Sequence, residues 1–489
     1  MWLAAFVSSF VCVAQMAYVI ATLARCQGQF VYSLDDPYIH LALARQISQG
    51  HYGLNPGEVS APSSSFLWPF LLAPLARFSW FVNAPLFMNI VCGTLSAGLV
   101  ALAFGEVFGE RRGSDTKLVV FGLTALTVVA SNGIVLALDG MEHTLQMLLT
   151  NAAALGLVYF VRNKSIPAYL SVALALAPLV RYENLALTGA ACAWLFLAGY
   201  RRTAVVSFLV PVLILAAFSL LLHANGLGWL PTSVIAKTHG SPNNGPLFFF
   251  AAVLLIGALL CRSTCAWPIL TVAAVATFFH AFFGRSGWGQ RYEVYLYSFG
   301  LIAIAFGWVE RNEGRIAVRI VALAMAGLSL LWTCRGSVTQ LRMSTASSSC
   351  VFRQQLQTAR FVRDFYRGPV ACNDIGAVAF GSGQYVLDLW GLGSLEALKA
   401  RLRGKHTDWA GPLVDRHHIG LVAIYDDWIP IRPSSWVRIG ALTVEGTVFG
   451  IGVNKVSYYA ATSADVPKLR SDFDRFVKTL PAGVSAKEG

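Results

Sequence analysis

The chain has 489 residues, 56% of them hydrophobic and 13% charged, with a formal net charge of +12. Soluble domains carry roughly 25% charged residues, so a cytosolic enzyme, a disordered chain and a disulfide-stapled miniprotein are excluded. The positive excess holds no dense Lys/Arg run and splits evenly, +6 in residues 1–334 and +6 in residues 335–489. That is no nucleic-acid footprint; it suits basic loops beside anionic lipid headgroups.

Charge density separates two parts. Residues 1–334 hold 30 charged side chains and residues 335–489 hold 32. We therefore expect a polytopic α-helical membrane domain over 1–334, followed by a C-terminal soluble α/β domain over 335–489. The first apolar segment, Met1 to Ala24, has no basic region before it and reads as a signal anchor. Further runs long enough to span a bilayer begin near Leu86, Leu118, Thr144, Ile166, Asn184, Thr203, Leu247, Ala266, Tyr292 and Ile316. With the first, that makes about eleven transmembrane helices. Residues 66–81 contain Pro69, Pro74 and Arg77 and are expected to lie in the interface rather than cross. The basic doublets Arg111-Arg112 and Arg201-Arg202, with Arg311 and Arg315, then fall on one face, the cytoplasmic one. An odd span count places residues 335–489 outside. His40, His51, His143, His223, His239 and His280 all gather at or near the outer face, as do Asp35, Asp36, Asp139, Glu142, Glu183 and Glu293. Ionisable groups near membrane depth are expensive and point to function.

In chain order, the first outer loop (25–82) reads Ser33-Leu34-Asp35-Asp36-Pro37-Tyr38-Ile39-His40. Pro37 suits the first position of a helix running to about Gln49, with Asp36 as its N-cap. Asp36 and His40 then share a face. Asp36 is either a cap or a chemical group. Asp35 has no capping role, and the helix N-terminus would keep it ionised, as a general base for a sugar hydroxyl requires. Asn55-Pro56-Gly57-Glu58 is a turn, and Ser60 to Ser65 is either a flexible polar loop or a hydroxyl-rich lining.

The next outer loop, Asp139 to Thr144, offers Glu142 and His143 as ligands for hydroxyls or a metal, or is only a charged helix entry. Arg181-Tyr182-Glu183-Asn184 follows, where Arg181 and Glu183 are placed to pair. Lys237 lies in the outer loop 223–246. In Gln290-Arg291-Tyr292-Glu293, Arg291 is either a phosphate clamp or a snorkelling anchor, with Trp288 and Tyr292 in the aromatic belt. Cys261 and Cys265 lack partners for a zinc site, and Cys334 with Cys350 is a candidate disulfide in an oxidising compartment. No Walker loop, dinucleotide fingerprint, Gly-x-Ser-x-Gly elbow or His-Glu-x-x-His is present. An outward-facing site has no nucleotide sugar at hand, so a donor there must be lipid-linked.

In the last 155 residues, strand-like runs (Gly368–Asn373, Tyr385–Leu389, Leu421–Tyr425, Val448–Val453) alternate with helical ones (Cys350–Tyr366, Ser394–Leu402, Pro412–His417). Asp374, Asp388, Asp426 and Asp427 sit at strand ends, where turn-making is their expected role.

Leu34-Asp35-Asp36-Pro37-Tyr38-Ile39-His40-Leu41-Ala42, Asn55-Pro56-Gly57 and the Ser-rich stretch ending in Phe66-Leu67-Trp68 resemble the GT-C superfamily of polytopic glycosyltransferases. The closest likeness is to the branch of the mycobacterial terminal arabinofuranosyltransferase and its bacterial relatives. Gly140-Met141-Glu142, Arg181-Tyr182-Glu183-Asn184, Gln290-Arg291-Tyr292, Asn373-Asp374-Ile375-Gly376-Ala377 and Val386 to Leu392 follow in the expected order. The relatives usually read Arg-Pro-Glu-Gly where this chain has Tyr182 and Asn184. The resemblance implies a multi-pass enzyme of the bacterial plasma (inner) membrane with an outward-facing site. It implies a polyprenyl-phosphate sugar donor, a cell-envelope glycan, glycolipid or protein acceptor, and inversion at the anomeric carbon. The resemblance fixes no cofactor, and it leaves room for a divalent cation. Carried over, the base is Asp35 or Asp36, with Asp35 first by the capping argument. His40, Glu142, His143, Arg181, Glu183, Lys237, Arg291 and Tyr292 are the substrate-binding candidates. The rival readings are a lipid-linked-sugar flippase, against which the chain has no inverted repeat, and a non-catalytic envelope scaffold.

Overall fold

A computed structural model describes residues 1–109, 114–238, 244–310, 316–404 and 406–488. Arg111, Arg112, His239, Arg311 and Arg315, used above for topology and the outer histidines, lie outside the described residues. Each apolar run expected to span a bilayer falls on a helix, from Trp2–Arg25 to Ile316–Arg353. Among the described residues five helices are long and apolar enough to cross a membrane: Trp2–Arg25, Phe81–Phe108, Asp115–Asp139, His143–Asn163 and Arg201–Ala224. Five more apolar helices are 10–17 residues long: Ala168–Val180, Asn184–Leu197, Gly245–Leu260, Trp267–Phe283 and Val294–Glu310. Residues 66–81 form a six-residue helix, Leu67–Leu72, and a single 3-10 turn, Ala73–Leu75, far short of a bilayer.

The chain forms two compact units, and they are not the two parts expected from charge density. One comprises residues 1–18, 86–217 and 240–342; the other comprises 19–85, 218–239 and 343–489. The first outer loop, expected within the membrane domain, therefore belongs with the C-terminal segment. A chain-local count of charge cannot reveal this, because the association is made by contacts across more than 300 residues.

The first unit is helical. Its core joins Phe104, Leu157, Leu174, Leu254, Leu270 and Phe306, all buried. Small residues let the helices approach: a Cβ on Gly156 would lie 2.8 Å from the Leu170 Cβ, and one on Gly307 2.8 Å from Leu270. Polar groups inside it are satisfied across helices. Asn151 donates to Ser96 Oγ (2.8 Å) and accepts from Ser298 Oγ (2.7 Å), and Thr144 donates to Asn89 (2.6 Å).

The second unit contains a six-stranded sheet, built from β1 (Val370–Cys372), β2 (Val386–Asp388), β3 (Leu421–Ile424), β4 (Val437–Val444), β5 (Lys455–Ala460) and β6 (Val484–Glu488). The strand order is β2-β1-β3-β5-β4-β6. β1 runs parallel to β2 and β3; the remaining pairs are antiparallel. Alternate residues face opposite layers. Val422, Ile424 and Tyr459 join Leu387, Ala397 and Val414 in one buried cluster on the side of helices Leu395–Arg403 and Gly411–Arg416. Tyr458 packs instead on Phe361 and Phe473, from the segments after Gln355 and Val466. β1 is buried throughout, as a central strand of parallel pairs must be.

Three expected strands are present. The fourth run, Val448–Val453, is instead part of the connection between β4 and β5, turned by Gly450 at φ +71°. A Cβ there would meet the Ser33 carbonyl oxygen at 2.4 Å. The expected helix Cys350–Tyr366 is broken at Gln354 and ends in a wider turn over Phe361–Tyr366. All nine cysteines are free, so the Cys334–Cys350 disulfide is not formed. Cys265 bonds Glu310 (3.1 Å) and Cys261 the Gly307 carbonyl (3.6 Å), neither being part of a zinc cluster.

Candidate functional site

In the unit containing the sheet, helix Asp36–Ser48 begins one residue earlier than expected, with Asp35 rather than Asp36 at its N-cap position and Pro37 in the first turn. Eight consecutive residues, Pro37 to Ala44, are buried, which fixes this helix firmly in place. Asp35 is 6% exposed. Its carboxylate accepts the backbone N–H of Ala377 (2.8 Å) and of Gly376 (2.5 Å), at the start of the short helix Gly376–Gly381. Only glycine fits at 376, since a Cβ would lie 2.1 Å from the Asp35 carbonyl oxygen. The Asp-Ile-Gly-Ala motif and the Asp-Asp-Pro motif are thus two halves of one contact.

Asp374 completes that contact. It accepts from Gln355 Nε2 (2.7 Å) and from the Tyr425 hydroxyl (2.9 Å), while Asn373 accepts the Tyr425 N–H (2.8 Å). Burial, then the neighbouring Asp374 charge, raises the Asp35 carboxyl well above the usual range against the pull of its two amide donors. Burial raises Asp374 as well. Burial and the like charge of Asp374 thus both favour the neutral form of Asp35. Expected to have no structural part, Asp35 is held by two backbone amides. Asp36, one residue on, is half-buried and carries the first turn of the helix. Asp374 was read as a turn-maker; the sequence signal that it is more was its place after the β1 run in a motif of the resemblance.

His40 is buried with Nδ1 3.2 Å from Ser63 Oγ. Ser60, Ser63, Ser64 and Ser65 of the Ser-rich stretch are buried. Ser60 accepts the Leu54 N–H, Ser63 bonds Ser65, and Ser65 accepts the Trp68 N–H at the start of Leu67–Leu72. Lys237 lies in the last turn of the short helix Thr232–Thr238 of the same unit.

In the helical unit six of the expected residues come together. Arg181, at the end of helix Ala168–Val180, pairs with Glu142 (2.8 Å) and, through two nitrogens, with Glu183 (2.6 and 3.2 Å). Burial alone would raise the Glu183 carboxyl, and the Arg181 guanidinium reverses this and holds it below the usual range. The Tyr292 ring lies between two cations, with Arg181 Cζ at 5.2 Å and Arg291 Cζ at 5.0 Å, and His143 meets it edge-on. Arg291 donates to the Tyr292 hydroxyl at 3.0 Å. Arg291 is 2% exposed and Tyr292 is buried, so neither is a snorkelling or belt residue, although Trp288 is 50% exposed. Two guanidinium groups and two carboxylates balance one another here, which is how such charges are held out of water. Among the described residues no three His, Cys, Asp or Glu side chains converge to hold a metal ion.

The comparisons with known proteins follow from this geometry. Residues 345–463 match a family described as a domain of unknown function (DUF8728). No curated protein matches the chain. Among solved structures, the chain is similar to the Archaeoglobus fulgidus oligosaccharyltransferase in its apo form, at 14% identity and TM-score 0.52, over 95% of this chain and 75% of that one. It is similar also to ArnT from Cupriavidus metallidurans bound to undecaprenyl phosphate, at 10% identity and TM-score 0.50, over 94% of this chain and 99% of that one. The chain shares the fold of these two proteins. At such identity the likeness speaks for the fold and leaves chemistry to the residues.

Proposed function

We propose that the protein is a membrane glycosyltransferase that moves a sugar from a polyprenyl-phosphate donor to a cell-envelope glycan, glycolipid or protein acceptor on the extracytoplasmic face, with inversion. The spans number about eleven and the sheet-bearing unit lies outside the bacterial plasma membrane in this reading. Its principal support is the pairing of a GT-C-type fold with adjacent acids of unequal environment at the head of a buried helix. ArnT, over nearly its whole length, is the fold neighbour that binds undecaprenyl phosphate. The arabinofuranosyltransferase branch remains our reading of the motifs alone.

The acids divide the work. Both carboxylate oxygens of Asp35 accept backbone N–H groups, which commits this side chain to holding the two segments together rather than to an acceptor hydroxyl. We therefore assign Asp36 as general base and Asp35 as the residue that positions it. In the reaction, the acceptor oxygen forms a bond to the anomeric carbon as the bond to the donor phosphate oxygen breaks. The carboxylate of Asp36 takes the hydroxyl proton, and the polyprenyl phosphate leaves with the electron pair. The transition state is oxocarbenium-like, as in glycoside hydrolysis. In the sheet-bearing unit, Lys237 is assigned to charge growing on the leaving phosphate. Arg181 is committed to Glu142 and Glu183 and holds the cluster in shape. In the sheet-bearing unit His40 is assigned to orientation of substrate groups; in the helical unit Arg291, His143 and Tyr292 form a separate candidate group for binding substrate.

Purified protein in detergent or nanodiscs, supplied with a polyprenyl-phosphate sugar, should transfer it covalently. Asp36→Asn should lower turnover about 10²–10⁴-fold, whereas Asp35→Asn, which keeps an acceptor oxygen, should cost less than about tenfold. The reverse ranking would move the base to Asp35. Movement of labelled lipid across the bilayer without any covalent transfer would replace the enzyme by a flippase.

A further inference from the structure

The second motif of the first outer loop, Asn55-Pro56-Gly57-Glu58, takes no part in the chemistry above, yet its placement is specific. β2 is an edge strand of the sheet. Asn55 pairs with that edge as a neighbouring strand would, its Nδ2 donating to the Val386 carbonyl (2.9 Å) and its Oδ1 accepting the Val386 N–H (2.9 Å). Between the loop so fixed and the start of helix Leu395–Arg403 lies a cleft of about 490 Å³, within the unit containing the sheet. That size falls in the range of small-molecule sites and admits roughly two or three sugar rings.

Every wall of the cleft is rigid. On one side Ser60 accepts the Leu54 N–H (3.0 Å). On the other, Asp388 accepts the N–H groups of Trp390, Gly391 and Gly393, and Ser394 caps the helix by accepting the Ala397 N–H. Tyr385 stands between, stacked on His417 with centroids 5.7 Å apart. Its hydroxyl is shared with Glu58 Oε1 (2.7 Å) and His417 Nδ1 (2.9 Å).

The lining is chemically particular. Glu58, Tyr385, Glu396, Lys399 and His417 line it together with Leu54, Leu227 and Leu395. Lys399 is the one ammonium in a lining that also holds Glu58, Asp388 and Glu396, the last paired with Arg416, so the cleft presents no cluster of cations for a phosphate or another anion. The carboxylates do not converge as a cation site would require. Donors, acceptors and apolar side chains in one lining suit a ring with hydroxyls on its rim and C–H groups on its face. A pre-formed cleft also spares the ligand the cost of ordering its site.

We propose that this cleft is a carbohydrate-binding subsite, which holds the growing glycan of the acceptor apart from the residues that make the bond. The proposal rests on the glycosyltransferase reading for its place in the reaction, but binding itself does not depend on it. The test uses the full-length protein in detergent and ligand-observed NMR. The probes are arabino-, galacto-, manno- and gluco-oligosaccharides of three to five residues. At least one class should bind. Tyr385→Ala and the surface change Lys399→Glu should each weaken it by about tenfold or more, the loss expected when a stacking or charged contact is removed. In the transfer assay the same variants should raise KM for an oligosaccharide acceptor and leave kcat, and the KM of a single-ring alkyl glycoside, unchanged.

Absence of binding by all four classes, or binding that neither variant alters, overturns the subsite. Glycan binding lost in the variants but with no sugar transfer by the native protein supports the cleft and counts against the enzyme reading. Transfer with an acceptor KM indifferent to both variants sinks the cleft alone.

Discussion

At the scale of single residues, the governing feature is a carboxyl pair made from the two ends of the chain. Asp35 and Asp374 share a buried space with Gln355 and Tyr425, and Gly376 is required because nothing larger fits beside Asp35. The pair has a stability consequence. The Asp35 carboxyl binds its proton more tightly folded than unfolded, since burial and then Asp374 raise it. Stability from this group is therefore present in acid and declines as pH rises from the ordinary carboxylate range upward. Asp388, pushed up to about 6 by burial, acts with the same sign. The apparent Tm of the purified protein should accordingly be higher near pH 5 than near pH 7.5. Asp374→Asn, which removes the like charge, should reduce that slope. A steeper slope in the variant, by fluorescence-monitored melting, would contradict the part given to Asp374. Asp35 and Asp36 stood out in the sequence as paired acids. Which of them was spoken for did not, because the amides that occupy Asp35 lie more than 300 residues away.

At the scale of elements, hydrophobic length and composition located helices well, since a helix satisfies its own backbone and needs no distant partner. Strands fared unevenly. β1, β2 and β3 are apolar runs and were legible. β4, reading Val-Arg-Ile-Gly-Ala-Leu-Thr-Val, carries an internal glycine that argues against a strand. The fold needs that glycine: a Cβ on Gly440 would enter the Phe473 ring, and the register shifts between Arg438 and Gly440. Helix contacts in the other unit rest on small residues in the same way. Gly156→Val should destabilise by about 1–3 kcal/mol, because the obstructing atom is the Leu170 Cβ and not a mobile side-chain end. A detergent-solubilised variant melting with the native protein would show that the helices separate without penalty.

At the scale of the whole molecule, the composition shift at residue 335 lies close to a true change of character, yet the compact unit that follows it is assembled from three stretches of chain. Residues 19–85 supply the helix against Gly376–Gly381 and the Asn55 clamp on the β2 edge, and residues 218–239 supply Leu227 to the cleft. A fragment of residues 343–489 alone should therefore lose a covered edge and a buried helix contact. We expect it to aggregate, or to melt well below the same segment in the full chain. Hydrogen exchange at Val386 and Ala377, where Asn55 and Asp35 accept amide protons, should be fast in the fragment and slow in the full protein. Equal protection in both would make the outer loop dispensable to the unit.

What the sequence determined by itself is what local composition controls. It set the apolar helices, the more charged C-terminal segment, the central strands, and the acidic and basic residues that cannot be at membrane depth without purpose. Tertiary structure alone decided which acid is held by backbone amides, which cations are consumed by neighbouring carboxylates, and which loop closes the edge of the sheet. Those outcomes depend on a carboxylate or an amide meeting partners hundreds of residues away in a place without water. Spacing along the chain carries no record of such meetings.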